Sequence, residues 1–167
     1  AVSGGAGAGG LVGTMTTGNI TNSYATGDVH GAAGTGGLVG SNTDGNISDS
    51  YASGTITNGI SASIGGLLGS GTTGSITNSY STGSVTGGAG AGGLVGDITT
   101  GPFSTSYAAD AVRGVALAGG LIRTITTGTI PNSYAIAALQ RAAGTVGLLA
   151  PNSAGTLITP HRTVTST

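Results

Sequence analysis

One short segment recurs along the chain at a nearly constant spacing. Gly-Gly-Leu-Val-Gly, or a degraded copy of it, begins near residues 9, 36, 65, 92, 119 and 146. Successive copies are 27, 29, 27, 27 and 27 residues apart, so one structural unit is repeated about six times. We therefore predict that residues 1–167 form a single repeat domain built from these units.

A shorter period runs inside each unit. A large apolar residue occupies every ninth position, and a glycine stands two positions before most of these residues. The two extra residues fall in residues 57–64, and we expect an outward loop near Asn58-Gly59-Ile60, because the period resumes at Leu67. We predict that this apolar series forms the core. It comprises Leu11, Ile20, Val29, Leu38, Ile47, Ile56, Leu67, Ile76, Val85, Leu94, Phe103, Val112, Leu121, Ile130, Leu139, Leu148 and Leu157.

This pattern excludes helix and favours short strands. A helix buries apolar residues three and four positions apart, and each glycine in its interior costs about 1 kcal/mol. Thr-rich and β-branched segments between glycines are typical of strands, which must stack on copies of themselves when they cannot bury a face alone. The sequence predicts an all-β, three-sided parallel β-solenoid (β-helix) of about six coils, with about 27 residues per coil. The glycines are expected to reach positive φ at its corners.

Stacked coils place equivalent residues above one another. All five tyrosines share one position of the unit, and we interpret them as a structural ladder worth about 0.5–1.5 kcal/mol per pair, rather than as a ligand platform. Two residues earlier, polar side chains are expected to bond along the stack. The tyrosine ladder is Tyr24, Tyr51, Tyr80, Tyr107 and Tyr134, and the polar series is Asn22, Asp49, Asn78, Thr105 and Asn132.

The unit resembles a known repeat family. Gly-Gly-Leu-Val-Gly followed by Gly-x-Ile-x-Asn-Ser-Tyr-Ala-Thr-Gly-x-Val-x-Gly is similar to the GLUG-motif repeats of bacterial surface adhesins and IgA-peptidase-like exoproteins. Residues 9–31, 36–56 and 65–87 match well, whereas the fourth to sixth copies depart at Arg123, Ala150 and His161. The resemblance implies a secreted or surface-displayed solenoid, used as a stalk or adhesive segment, and it carries no catalytic residue onto this chain.

Composition excludes several function classes. The net charge is −1 and the chain has no lysine, so we expect neither nucleic acid binding nor attachment to an anionic membrane. Without an apolar run of about 20 residues, membrane insertion is not expected. Five aspartates, two histidines and no cysteine or glutamate predict no catalytic residue, no cofactor and no metal site. The aspartates are also too few and too irregular for the calcium sites of RTX repeats, which the nonapeptide period weakly resembles.

One polar array has a possible role beyond structure. Threonines after each Gly-Gly-Leu-Val-Gly copy are expected to stack into parallel hydroxyl files on one flat side, the kind of surface that resembles ice-binding solenoids. The other interpretation is that threonine is a good exposed strand former. The candidate flat face is Thr14, Thr16, Thr43, Thr72, Thr99, Thr124 and Thr126.

Charge is ordered along the chain. All five aspartates precede residue 111, and all four arginines follow it, so the rod should be acidic toward one end and basic toward the other. The chain opens without an obvious capping helix and closes in the β-prone residues 163–167, so we expect open strand edges that pair with another molecule or continue into more protein. An excerpt of a longer repeat protein is the alternative explanation of such ends.

We therefore predict a structural or adhesive protein of the extracellular surface, and no enzyme. Its partners are expected to be further copies, joined end to end as a homo-oligomer or filament, and a surface or glycan target. The chain would then serve as a fibre subunit or an adhesin stalk. The alternative is an ice-binding module, or another module that recognises a flat surface through its threonine files.

Overall fold

The computed structural model describes residues 1–59, 63–136, 138–141, 147–150 and 156–158. These residues contain short strands and turns and no helix. They form a parallel β-solenoid of about five turns with roughly 27 residues per turn. The predicted fold is confirmed, and most of the sixth predicted coil lies outside the described residues.

The strands are two to ten residues long. The first twelve are β1 (Val2–Ser3), β2 (Val12–Thr21), β3 (Tyr24–Ala25), β4 (Val29–Gly31), β5 (Thr35–Gly36), β6 (Val39–Ser48), β7 (Tyr51–Ala52), β8 (Ile56–Asn58), β9 (Ile64–Gly65), β10 (Leu68–Thr73), β11 (Ile76–Thr77) and β12 (Tyr80–Ser81). The others are β13 (Val85–Gly87), β14 (Gly90–Gly92), β15 (Val95–Ile98), β16 (Phe103–Ser104), β17 (Tyr107–Ala108), β18 (Ala111–Gly114), β19 (Leu117–Ile125), β20 (Thr129–Pro131), β21 (Tyr134–Ala135), β22 (Ala138–Arg141), β23 (Gly147–Leu149) and β24 (Thr156–Ile158).

Parallel sheets run along the rod, and each is built from strands of successive coils. The valine sheet has six strands in the order β1-β4-β8-β13-β18-β22, and the tyrosine sheet has five in the order β3-β7-β12-β17-β21. An eleven-stranded sheet, which we call the long sheet, contains the longest strands β2, β6 and β19, and β20 pairs with β24. Every pairing is parallel, as coil-on-coil stacking requires.

The register between coils follows the sequence repeat. Val29 pairs with Ile56, 27 residues on, and Ile56 pairs with Val85, 29 residues on. Thr35 already pairs with Ile64, so the two extra residues lie between the end of β8 and the start of β9. Ile60, the last residue of the expected loop Asn58-Gly59-Ile60, lies outside the described residues.

The nine-residue apolar series lines the interior. Its buried members are Ile20, Val29, Leu38, Ile47, Ile56, Leu67, Ile76, Val85, Leu94, Phe103, Val112, Leu121, Ile130, Leu139 and Leu148. The prediction for Leu11 was wrong, because its side chain is 50% exposed. Leu11 bonds through its backbone to Leu38 and is the first residue of its ladder, so the next coil covers it on one side only. The side chain of Leu157 lies outside the described residues.

A second apolar series is buried beside the first. Val39, Leu68, Val95 and Ile122 follow directly after the leucines of the core series and are fully buried. Another segment of the coil packs against the strands that contain these residues. Gly69, for example, follows Leu68 in β10, and a Cβ added to it would collide with the Gly34 backbone. The motif glycines therefore leave room for a neighbouring backbone.

The corner glycines serve two different purposes. Gly74 has a φ of 107°, which is the positive-φ role that the sequence predicts. Gly83 is not among the positive-φ residues, but a Cβ there would collide with the carbonyl oxygen of Gly54 in the preceding coil. At that corner, glycine is needed because two coils approach closely, so positive φ explains only part of the pattern.

Candidate functional surfaces

The tyrosine ladder is a continuous stack of parallel rings. Successive ring centroids are 5.3, 4.9, 4.9 and 5.1 Å apart, and the ring planes differ by 2–9°. Neighbouring rings therefore cover both faces of the internal tyrosines, which leaves ring edges and hydroxyl groups outside. Burial raises the pKa of the Tyr107 phenol, and the phenols of Tyr80 and Tyr134 raise it further. The geometry supports a structural ladder and leaves little ring face for a ligand.

A serine ladder lies directly behind the tyrosines and was missed in the sequence. The Ser79 hydroxyl donates to the Thr77 carbonyl oxygen at 2.8 Å and accepts a hydrogen bond from the Ser50 backbone N–H at 3.2 Å. The same pair of bonds recurs from coil to coil. The ladder consists of Ser23, Ser50, Ser79, Ser106 and Ser133. The available signal was the serine that precedes every tyrosine.

The polar series before each Ser-Tyr pair marks a left-handed corner. Its five residues have φ between 48° and 53°, a conformation that Asn and Asp adopt more readily than other non-glycine residues. The Asn78 side chain donates to Asp49 Oδ1 at 2.6 Å, which is a bond along the stack. Thr105 occupies the same conformation with a β-branched side chain and is the strained member of the series.

The two predicted threonine files differ in exposure. One file is an exposed threonine in each of the first five coils, and we call it the threonine row. It consists of Thr16, Thr43, Thr72, Thr99 and Thr126. The other file contains Thr14 and Thr124, but Ser41, Ser70 and Asp97 occupy its middle positions.

The second file is partly covered by another segment of the coil. A Cβ on Gly34 would lie 3.0 Å from the hydroxyl oxygens of both Ser41 and Ser70, and these two hydroxyls lie 3.2 Å apart. Asp97 bonds to Ser63 and forms an ion pair with Arg123. The flat two-file surface predicted from the sequence therefore reduces to one unbroken threonine file.

Beyond the threonine row, polar side chains extend the same surface. We define the hydroxyl face as the outward side chains of residues 14–21, 41–48, 70–77, 97–104 and 124–131. Hydrogen bonds connect its coils: Asn46 Nδ2 donates to Asn19 Oδ1 at 3.0 Å, and the Ser75 hydroxyl donates to Asn46 Oδ1 at 2.8 Å. These bonds hold the side chains in a fixed arrangement.

The outer side of the valine sheet has a different chemistry. His30 Nδ1 lies 2.9 Å from the Thr57 hydroxyl oxygen, and Arg113 Nε donates to Gln140 Oε1 at 3.1 Å. Asp28 accepts a hydrogen bond from the Thr55 backbone N–H at 2.8 Å. This surface carries both signs of charge, whereas the hydroxyl face is nearly neutral.

One carboxylate lies buried without a partner. Asp110 occupies the corner where the three preceding coils have glycine, and neither of its oxygens has a hydrogen-bond partner in the described part of the chain. Burial raises the pKa of the Asp110 carboxyl from its ordinary value of 3.8 to about 8. The Asp110 carboxyl of the folded chain is therefore protonated below about pH 8.

The described residues hold no cluster of three or more His, Cys, Asp or Glu side chains able to bind a metal ion. In this part of the chain, no helix has the length and apolar character that crossing a membrane requires. His161, where the last copy departs from the repeat, lies outside the described residues.

Comparison with protein families agrees with the repeat seen in the structure. The model of the GLUG motif matches residues 4–29, 31–57 and 60–86. The chain carries three GLUG repeats. Each GLUG repeat contributes about one coil of the solenoid, and the stacking continues beyond residue 86 without a further match. No curated protein and no solved structure matches the chain.

Proposed function

We propose that the chain is a structural and adhesive segment of an extracellular surface protein, in which the solenoid acts as a rigid rod. The observation that carries this proposal is the parallel stacking of the described coils, in which hydrogen bonds between recurring polar side chains link one coil to the next. Among the described strands, the register shifts only where β19 pairs with β23, between Gly119 and Ile122. Ser79, Asn46 and Asp49 each bond to a residue 27 or 29 positions away. A rod of this kind separates or displays what is attached to it.

We also propose that the protein has no catalytic activity. Its exposed carboxylates are engaged in stacking, since Asp28 accepts from Thr55 N–H and Asp44 Oδ1 accepts from the Thr73 hydroxyl at 2.8 Å. General acid–base chemistry needs titratable groups that converge on one point. The solenoid instead separates its aspartates, which lie on different sides of one coil or in different coils.

End-to-end association is the finer part of the proposal. The exposed aspartates Asp28, Asp44 and Asp49 belong to the early coils, and the exposed Arg113 belongs to a later one. This polarity favours head-to-tail contact over contact between like ends. Analytical ultracentrifugation at high protein concentration and low salt, with negative-stain microscopy of the same sample, tests it. We expect filaments that shorten as salt is added, and a sample of monomers only would contradict association.

Ice binding is the second candidate, favoured by the threonine row. Five exposed threonines repeat at the coil spacing of about 4.8 Å along one side of the rod. A thermal-hysteresis assay tests this candidate. The double variant Thr72→Lys and Thr99→Lys should abolish any ice shaping, and unchanged ice shaping would remove the threonine row from consideration.

A further inference from the structure

The hydroxyl face has few charged residues and few exposed apolar side chains. Within its five ranges, the only charged residues are Asp44 and Asp97, and there is no Lys, Arg or His. All isoleucine, methionine and phenylalanine side chains in these ranges are buried. They are Met15, Ile20, Ile47, Ile76, Ile98, Phe103, Ile125 and Ile130. The exposed side chains of the face therefore carry mainly hydroxyl and amide groups, and Asp44 and Pro102 are the exposed exceptions.

This composition selects a class of partner. A polyanion would need cationic residues on the face, and a lipid or apolar peptide would need exposed apolar side chains. A hydroxyl group donates one hydrogen bond and accepts others, so a row of hydroxyls is complementary to a partner that also both donates and accepts. Neutral polyhydroxylated molecules have this property.

The regularity of the face favours a polymer over a small sugar. Each hydrogen bond that replaces a bond to water contributes only about 0.5–1.5 kcal/mol. The threonine row repeats that contact in five coils. Thr16, Thr43 and Thr72 lie in strands, and the backbone N–H groups of Thr99 and Thr126 bond to the preceding coil, so these β-branched side chains lose little freedom on binding. A partner with its own regular repeat engages several coils together, and that multivalency raises the affinity.

We propose that the hydroxyl face binds an extended, neutral polysaccharide lying along the threonine row. This inference rests on the adhesive role proposed above and names its target. The mixed Thr, Ser and Asn side chains suit a polymer chain better than an ice lattice, because Asp44 and the Asp97 ion pair interrupt the files beside the threonine row.

The test is retention on insoluble cellulose, chitin and mannan. The full chain should be retained on at least one of these matrices, should resist elution with salt, and should not be displaced by free monosaccharides. Thr43→Lys with Thr72→Lys should weaken retention about tenfold, equivalent to about 1.4 kcal/mol. The matched control is Thr57→Lys with Thr86→Lys, which adds the same charge to the same two coils on the outer side of the valine sheet. The control should be retained like the unmodified chain.

Several outcomes would overturn the inference. Retention on none of the three matrices would do so, as would equal retention of both double variants, or retention on heparin-agarose that salt abolishes. Adsorption to ice without adsorption to the polysaccharides would favour the ice-binding candidate instead. Sedimentation and microscopy of the same preparation report separately on the rod and its association, so failure of this inference is distinguishable from failure of the proposed function.

Discussion

The coils that match the GLUG motif and those that follow it have one architecture but different corners. Ile47 in the matched part and Ile130 beyond it are both fully buried, and the tyrosine ladder continues through both parts at nearly constant spacing. Beyond residue 86, however, Asp110 stands at a glycine corner and Thr105 stands at an Asn/Asp corner. The motif therefore fades where the corners change, while the fold persists.

This contrast distinguishes the residues of the repeat that specify the coil from those that only adjust its stability. The apolar series and the Ser-Tyr pairs specify the coil, since they are kept in all described coils. The corner residues adjust stability, because a replaced corner leaves the register intact, as the pairing of Val85 with Val112 shows. Four sets of variants test this division, ordered from the largest expected effect to the smallest.

Removing a core side chain should cost the same in both parts. Ile47→Ala and Ile130→Ala each leave a cavity at a fully buried position, so each should lower the free energy of unfolding by about 2–5 kcal/mol. Urea denaturation of the two variants measures the cost. A much smaller loss for Ile130→Ala would mean that the later coils do not share the core of the matched coils.

Asp110 should make stability fall as the pH rises. Its pKa is about 8 in the native state, so the folded chain keeps a proton that the unfolded chain releases above its ordinary value of 3.8. Stability is therefore highest below about pH 4 and falls up to about pH 8 for this group. At alkaline pH, Asp110→Asn should be more stable than the unmodified chain by about 3 kcal/mol, less than the full pKa difference because the introduced amide is also buried without a hydrogen-bond partner.

Denaturation midpoints across this pH range check the prediction. Asp28→Asn is the matched control in an early coil, where the carboxylate is exposed, and it should leave the alkaline loss of stability in place. If the profile of Asp110→Asn retained that loss, another group would be responsible for it.

The serine ladder should matter equally on both sides of the boundary. Ser79→Ala removes the acceptor of the Ser50 N–H, and Ser106→Ala removes that of the Ser79 N–H. Leaving a buried N–H unsatisfied costs about 1–3 kcal/mol, and we expect this loss in both variants. Thermal or chemical denaturation measures it, and no loss in either variant would show that these hydroxyls are dispensable.

The strained corner should be correctable by a single substitution. Thr105→Asn places a residue that tolerates positive φ at a position with a φ of 53°, and it should stabilise the chain by about 1 kcal/mol. The reciprocal Asn78→Thr should destabilise an early coil by about as much. If both substitutions changed the free energy of unfolding in the same direction, positive φ would not explain the difference between the two corners.

Much of the fold follows from spacing alone. The 27-residue unit, the parallel register and the site of the extra residues all follow from the positions of apolar residues and glycines, as Ile56 pairing with Val29 and Val85 illustrates. A solenoid makes this possible because sequence distance maps directly onto position along the rod. The buried apolar series was predictable for the same reason.

What the sequence did not reveal depends on contacts within and between coils. The burial of Val39 and the partial cover over Ser41 arise because another segment of the coil folds against them, and the nine-residue apolar period does not indicate that packing. Ser79 was overlooked because its role requires knowing that a backbone N–H lies opposite it. Leu11 shows that a position in the period does not ensure burial where only one neighbouring coil covers it.

The most direct test of the account measures distances along the threonine row. Spin labels would be placed at Thr126 together with Thr72, Thr43 or Thr16, which are two, three and four coils away. At about 4.8 Å per coil, electron–electron dipolar spectroscopy should report backbone separations near 10, 14 and 19 Å after correction for the label linkers. Separations that increase in equal steps support coil-on-coil stacking. Separations that do not increase with the number of coils would contradict it.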